Sequence, residues 1–130
     1  MKPTPLADTS AWIRALRSPD SWVRDQIRKD HPIAYSEPVL MEVMSGARTS
    51  QEQEDTRRFL TRGALIPFDA ASDFDGAARI YRLARRRGIT PDSHVECMII
   101  AVALRNDIPL LTYDRQQARI AEIFGVELAS

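Results

Sequence analysis

Two rhythms of apolar residues alternate along this chain. Short, mostly apolar runs at Leu6-Ala7, 32–35, 64–68, 108–113 and 126–128 are separated by longer stretches in which apolar side chains recur every three or four positions. The first rhythm belongs to strands buried on both faces, the second to helices with one face turned inward. Helices are predicted over 9–17 with Trp12, Ile13 and Leu16 on one face, and from Ser18 as N-cap to about Lys29 with Trp22, Val23 and Ile27 inward, the two forming a helical hairpin. Further helices are predicted from Ser36 to Gly46, over 50–62, 72–87, 92–105 and 114–123. Pro19 and Pro38 stand in first turns, and Gly46, Gly88 and Asn106-Asp107 follow last turns, where each is favoured. In 72–87 the inward stripe reads as Phe74, Ala77, Ala78, Tyr81 and Ala84, with arginines outward; 92–105 is the most apolar helix. Strict alternation of strand and helix predicts an α/β fold. A central, mostly parallel sheet of four to five strands lies between two helical layers, in one domain spanning 1–130.

Composition narrows the class. With 44% hydrophobic and 28% charged residues and no long apolar run, the chain reads as an ordinary globular protein, and its N-terminus shows no signal-peptide pattern, so the expected compartment is the cytoplasm. The one cysteine, Cys97, sits in an apolar helical run and reads as a buried inert thiol. Net charge is zero. That excludes a simple coat-like nucleic-acid binder, yet the arginines gather at Arg57-Arg58-Arg62 and Arg79-Arg82-Arg85-Arg86-Arg87. Such groups are either solvated helix faces or guanidinium forks for phosphates.

Four acids break the apolar pattern: Asp8 after the first strand, Glu42 and Glu96 within apolar helical runs, and Asp114 after the fourth strand. A carboxylate in apolar surroundings costs several kcal/mol unless donors or a cation compensate it, on the order of the penalty for any buried ion. Asp8 and Asp114 fall at strand-to-helix junctions, which in parallel α/β sheets share the rim where ligands bind. Each is equally readable as a helix N-cap. For the two glutamates, flanked by helical apolar residues, the alternative is a buried pair with an arginine. Converging acids with oxygen-only donors favour Mg²⁺ or Mn²⁺, and such ions serve phosphodiester hydrolysis. A Gly-rich phosphate loop, a zinc-type Cys/His cluster and a Gly-x-Ser-x-Gly elbow are all missing from the sequence. His31 and His94 read as surface residues.

Five segments in order resemble one family. They are 7–13 (ADTSAWI), 36–48 (SEPVLMEVMSGAR), 84–90 (ARRRGIT), 96–104 (ECMIIAVAL) and 110–114 (LLTYD). Together they are similar to the PIN-domain ribonucleases, and specifically to the VapC-type toxins of bacterial toxin–antitoxin pairs. The resemblance implies a three-layer α/β/α fold and a Mg²⁺- or Mn²⁺-dependent endoribonuclease that cuts tRNA or ribosomal RNA. It further implies a homodimer, inhibition by a small VapB-like antitoxin, and a heterotetramer or larger assembly with it. The family's catalytic and metal-binding acids fall on Asp8, Glu42, Glu96 and Asp114, with Ser10 as a supporting hydroxyl. Three departures stand out: Glu96 replaces the family's shorter Asp, Gln116 stands where a further acid is common, and Asp92 replaces a basic residue. They leave a second reading open, a PIN-like module that binds an antitoxin or RNA without efficient cleavage.

Overall fold

Leu6–Ala7 (β1) pairs in parallel with Ala34–Tyr35 (β2) on one side and with Leu110–Leu111 (β4) on the other, and β2 carries Ala64–Leu65 (β3), so the sheet order is β3-β2-β1-β4. This computed structural model describes residues 3–18, 20, 24–25 and 33–129. The register Leu6↔Leu110 and Ala7↔Leu111 sets Asp8 and the residues after β4 at the same edge. Each strand is two residues long, shorter than the apolar runs that announced it, because the ends of those runs leave the ladder as they enter the loops. The expected fifth strand is a single parallel bridge, Leu110↔Leu128.

Among the described residues six helices of at least two turns cover the sheet: Thr9–Arg17 (α1), Glu37–Met44 (α2), Ser50–Leu60 (α3), Ala70–Arg86 (α4), His94–Asn106 (α5) and Arg115–Ile123 (α6). Their ends follow local chemistry. Asp8, Thr49, Ser93 and Asp114 cap helices through their side chains. Gly88, with φ of 81°, takes the left-handed conformation that ends α4. Gly63 is demanded by space, since a Cβ there would lie 2.5 Å from the Ile33 carbonyl oxygen. Ser18 closes α1, its N–H donating to the Arg14 carbonyl. The second hairpin helix, with Trp22, Val23 and Ile27, lies outside the described residues, as do His31 and Pro32; Arg24 and Asp25 are described and helical.

The sheet and the inner faces of α1, α5 and α6 make the core, with Leu6, Trp12, Ile100, Leu110 and Ile120 fully buried. Trp12 meets Phe59 edge-on at 5.8 Å. The α4 stripe differs from expectation. Phe74 is 55% exposed and Ala78 is also exposed, whereas Asp73, Ala77, Ile80 and Ala84 are buried. The helix is rotated by about one residue because Asp73 has a partner: Arg105 of α5 donates Nε to Oδ1 at 2.9 Å and Nη2 to Oδ2 at 2.8 Å, and Nη2 also reaches the Pro67 carbonyl at 2.7 Å. The Asp69 N–H donates to Oδ2 as well. Satisfied in this way, an aspartate can occupy an inward position that an exposed Phe74, edge-on to Phe68, gives up.

Candidate metal centre

Asp8 ends β1 and caps α1, and both roles use the same carboxylate. Its Oδ1 accepts from the Ala11 N–H at 3.0 Å and from the Ser10 hydroxyl at 2.6 Å, while Oδ2 accepts from the Thr112 hydroxyl. Burial pushes its carboxyl above the ordinary range against the pull of those three donors, and Asp114 adds to the rise. Thr112 links the two strand ends. Its Oγ1 also accepts from the Asp114 N–H at 3.0 Å. Asp114 in turn caps α6, Oδ1 accepting from Gln116 N–H at 2.8 Å and Gln117 N–H at 3.2 Å. Capping and a shared rim are therefore both realised at the two aspartates.

Glu96 lies in the first turn of α5, where its N–H donates to Oγ of the N-cap Ser93 at 3.3 Å. Ser93-x-x-Glu96 is the pattern of a capping box, so the exclusion of a capping role for this glutamate is corrected, although the carboxyl is bonded by the Asp92 backbone rather than that of Ser93. Burial and the neighbouring charges of Asp114, Asp92 and Glu42 push the carboxyl from 4.5 up to about 7. Its Oε2 is buried without a hydrogen-bond partner.

Asp92, Glu96 and Asp114 each offer a carboxylate oxygen, and these oxygens lie within 4.8 Å of one another. Asp8 stands beside this trio, coupled to Asp114 through Thr112, and half-buried Glu42 of α2 faces Glu96 closely enough to raise its pKa. Glu96 and Asp114 thus share one cluster, Asp8 is joined to it through Thr112, and Glu42 bears on it through its charge. The tightest cluster includes Asp92, which sequence reasoning treated as a departure beside the site. Thr112 was missed; its position between two acid-bearing junctions, in the Thr-x-Asp of 112–114, was the available signal. Hard oxygen donors, mutual repulsion and an orphaned buried Oε2 suit a divalent cation such as Mg²⁺ or Mn²⁺. Gln116, in place of a further acid, donates its Nε2 to the Thr90 carbonyl at 3.0 Å, and its Oε1 is buried without a hydrogen-bond partner. Ser10 holds Asp8, as its expected supporting position implies.

Around the acids the surface divides. On the Glu42 side runs a groove of about 880 Å³, walled by Ile13, Leu16, Val43 and Phe59 with Arg48 and Arg62 at its edges. Trp12 does not line it, being fully buried in the core as its inward helical position predicts. His94 stacks on Tyr81 with ring centroids 4.7 Å apart and planes 5° from parallel. The arginines of α4 and its C-terminus, Arg79, Arg82, Arg85, Arg86 and Arg87, are all exposed, and none forms an ion pair among the described residues. Arg58 differs, facing Glu54 at 3.6 Å and Asp55 at 3.8 Å on its own helix. Cys97 is buried and its thiol is pushed up to about 12 by that burial, which leaves it protonated and inert. No described helix is long and apolar enough to cross a membrane.

Comparison with known proteins places this geometry in a lineage. The PIN domain model matches residues 6–123. Ribonuclease VapC11 of Mycobacterium tuberculosis and VapC ribonuclease Mb1587 of Mycobacterium bovis are each 35% identical to the chain over 130 residues, covering 96% of it and 97% of their own length. Among solved structures, the DNA-bound VapBC of Salmonella typhimurium superposes with a TM-score of 0.77 at 21% identity, over 99% of this chain and 98% of the matched one, a likeness of fold. The three-layer α/β/α architecture expected from the alternating pattern is the one found. The chain belongs to the PIN-domain family, in its VapC ribonuclease branch.

Proposed function

We propose that this protein is the ribonuclease toxin of a toxin–antitoxin pair, a metal-dependent endoribonuclease that hydrolyses phosphodiester bonds in tRNA or ribosomal RNA. The observation that carries the proposal is the meeting of Asp92, Glu96 and Asp114 oxygens within 4.8 Å, with Asp8 and Glu42 alongside, in a chain of the VapC branch. These acids would hold one Mg²⁺ or Mn²⁺. When bound, such an ion supplies Lewis-acid stabilisation of phosphate charge and a more acidic water. The protein's own groups prepare the site. Ser10 and Thr112 fix the Asp8 carboxylate, Thr112 fixes the backbone before Asp114, and the Gln117 amide donates to the Glu96 carbonyl at 3.1 Å, tying α6 to the first turn of α5. A rim held this firmly presents its oxygens without reorganisation.

The partner in this reading is a VapB-like antitoxin, bound in the groove beside Glu42, in a heterotetramer or larger assembly built on a toxin homodimer. A guanidinium from the antitoxin would replace the ion's charge among the acids while apolar residues cover Ile13, Leu16 and Val43. The whole span 1–130 acts as one cytoplasmic catalytic unit. The test is incubation of the purified protein with total tRNA and ribosomal RNA. Discrete fragments with Mg²⁺ or Mn²⁺ and intact RNA with EDTA are expected, whereas tight RNA or antitoxin binding without any cleavage would favour the non-cleaving module.

A further inference from the structure

In a chain of zero net charge whose site is itself acidic, contacts that do not depend on phosphate neutralisation would add to RNA binding. One exposed aromatic side chain stands at the rim itself. Tyr113 lies between Thr112 and Asp114, is 42% exposed, and is anchored through its backbone N–H, which donates to Ser10 Oγ at 3.0 Å, the hydroxyl that bonds Asp8. Its side chain is held too. The Arg14 guanidinium carbon sits 4.4 Å above the ring centroid, and Arg14 follows Ser10 by four residues, on the same face of α1. Arg14 is the sole ring or cation contact of Tyr113 among the described residues.

A tyrosine left in water normally samples several rotamers, whereas a guanidinium over one face holds the ring in place, and 42% of Tyr113 remains exposed. Resting on the ribonuclease reading above, we propose that Tyr113, backed by Arg14, is a stacking platform for the nucleobase adjoining the phosphate presented to Asp8 and Asp114. Single-stranded RNA exposes its bases for such contacts, and stacking tolerates every base because each has a π-face. Arg14 serves twice: it orients the ring, and its positive charge lies beside the path of the phosphate backbone. The platform gives binding that salt does not screen, complementing the exposed arginines of α4.

The experiment measures binding of a fluorescent mixed-sequence RNA decamer in EDTA, which keeps the RNA intact, alongside a ribose-phosphate decamer lacking bases. Tyr113→Ala is expected to weaken binding of the RNA by about 5- to 100-fold, the range of one lost stacking contact, by the same factor at low and high salt. It leaves the abasic decamer unaffected, and Tyr113→Phe, which keeps the ring, restores the lost binding. Equal weakening of both decamers would assign Tyr113 a merely structural role and overturn the proposal, as would unchanged RNA binding in Tyr113→Ala. If the parent protein neither binds the decamer nor cuts tRNA or ribosomal RNA with Mg²⁺, the ribonuclease reading fails along with the platform; if the parent does both and only the Tyr113 effect is missing, the platform alone fails.

Discussion

Burial and the neighbouring acids raise the pKa of Glu96, and the sign of that shift makes a prediction. Its folded pKa of about 7 lies above the ordinary 4.5, so between those values the metal-free fold keeps a proton that the unfolded chain has released. The contribution is fully present below about pH 4.5 and is lost as pH rises through about 7. In EDTA the melting temperature should therefore rise when pH is lowered from about 8 to about 5.5, and Glu96→Gln should flatten that dependence. A parent melting curve indifferent to pH in this window would mean that the carboxylates do not confront one another. Asp8 is raised by burial too, but three donors hold its carboxylate in place. Asp8→Asn keeps an oxygen for the Ala11 N–H, so melting should stay within a few degrees while cleavage falls by about 10- to 100-fold or more, the cost of disturbing a group that holds or orients a metal ligand. A large drop in melting temperature would make Asp8 a structural residue. The aspartates were legible in the sequence because strand-to-helix junctions are visible as changes of rhythm. Asp92 and Thr112 were not, since Asp92 lies in the turn before α5 and Thr112 is an uncharged residue after β4, and only the fold brings that turn and that strand end to one rim.

At the scale of elements, α4 and α5 are clamped by the Asp73–Arg105 pair, which also fastens the 67–69 turn. Asp73 is 2% exposed, while a third of the Arg105 side chain reaches water. Removing one partner strands a buried charge, so Arg105→Met should destabilise the fold by about 3 kcal/mol, the low end for a broken buried pair given the partly solvated guanidinium. Denaturant unfolding of Arg105→Met, Asp73→Leu and the double variant checks this. The double variant should lose less than either single one; strictly additive losses would show that the two groups do not interact. This pair also explains why the α4 stripe was misread. Asp73, Ala77, Ile80 and Ala84 follow helical spacing, but hydrophobicity alone assigns the inward position to Phe74, and only knowledge that α5 delivers an arginine reverses the choice. The other described helices and the parallel sheet were accessible from periodicity, caps and the alternation of strand with helix. Strand lengths were not, because an apolar run marks burial rather than ladder pairing.

Over the whole molecule, charge is arranged rather than accumulated. Acids gather where β1, β4, α2 and α5 meet, and exposed arginines line α4, so the neutral total conceals a negative centre and a basic flank. RNA binding by that flank should depend on salt, with a slope of about −0.7 per phosphate neutralised on a single strand. Replacing Arg85 and Arg86 together by glutamine should flatten the slope and raise KM more than it lowers kcat, since contacts remote from the reacting bond bind ground and transition states alike. An unchanged slope would return these arginines to a solvated helix face. The central claim, that the rim acids form one divalent-cation site serving RNA cleavage, is tested most directly by titrating Mn²⁺ into the purified protein at about pH 8, where Glu96 is largely ionised, and into its Glu96→Gln variant. One ion bound per chain by the parent, and binding lost or severely weakened in the variant, is the expected result; equal Mn²⁺ binding by both proteins, or none by either, would contradict it.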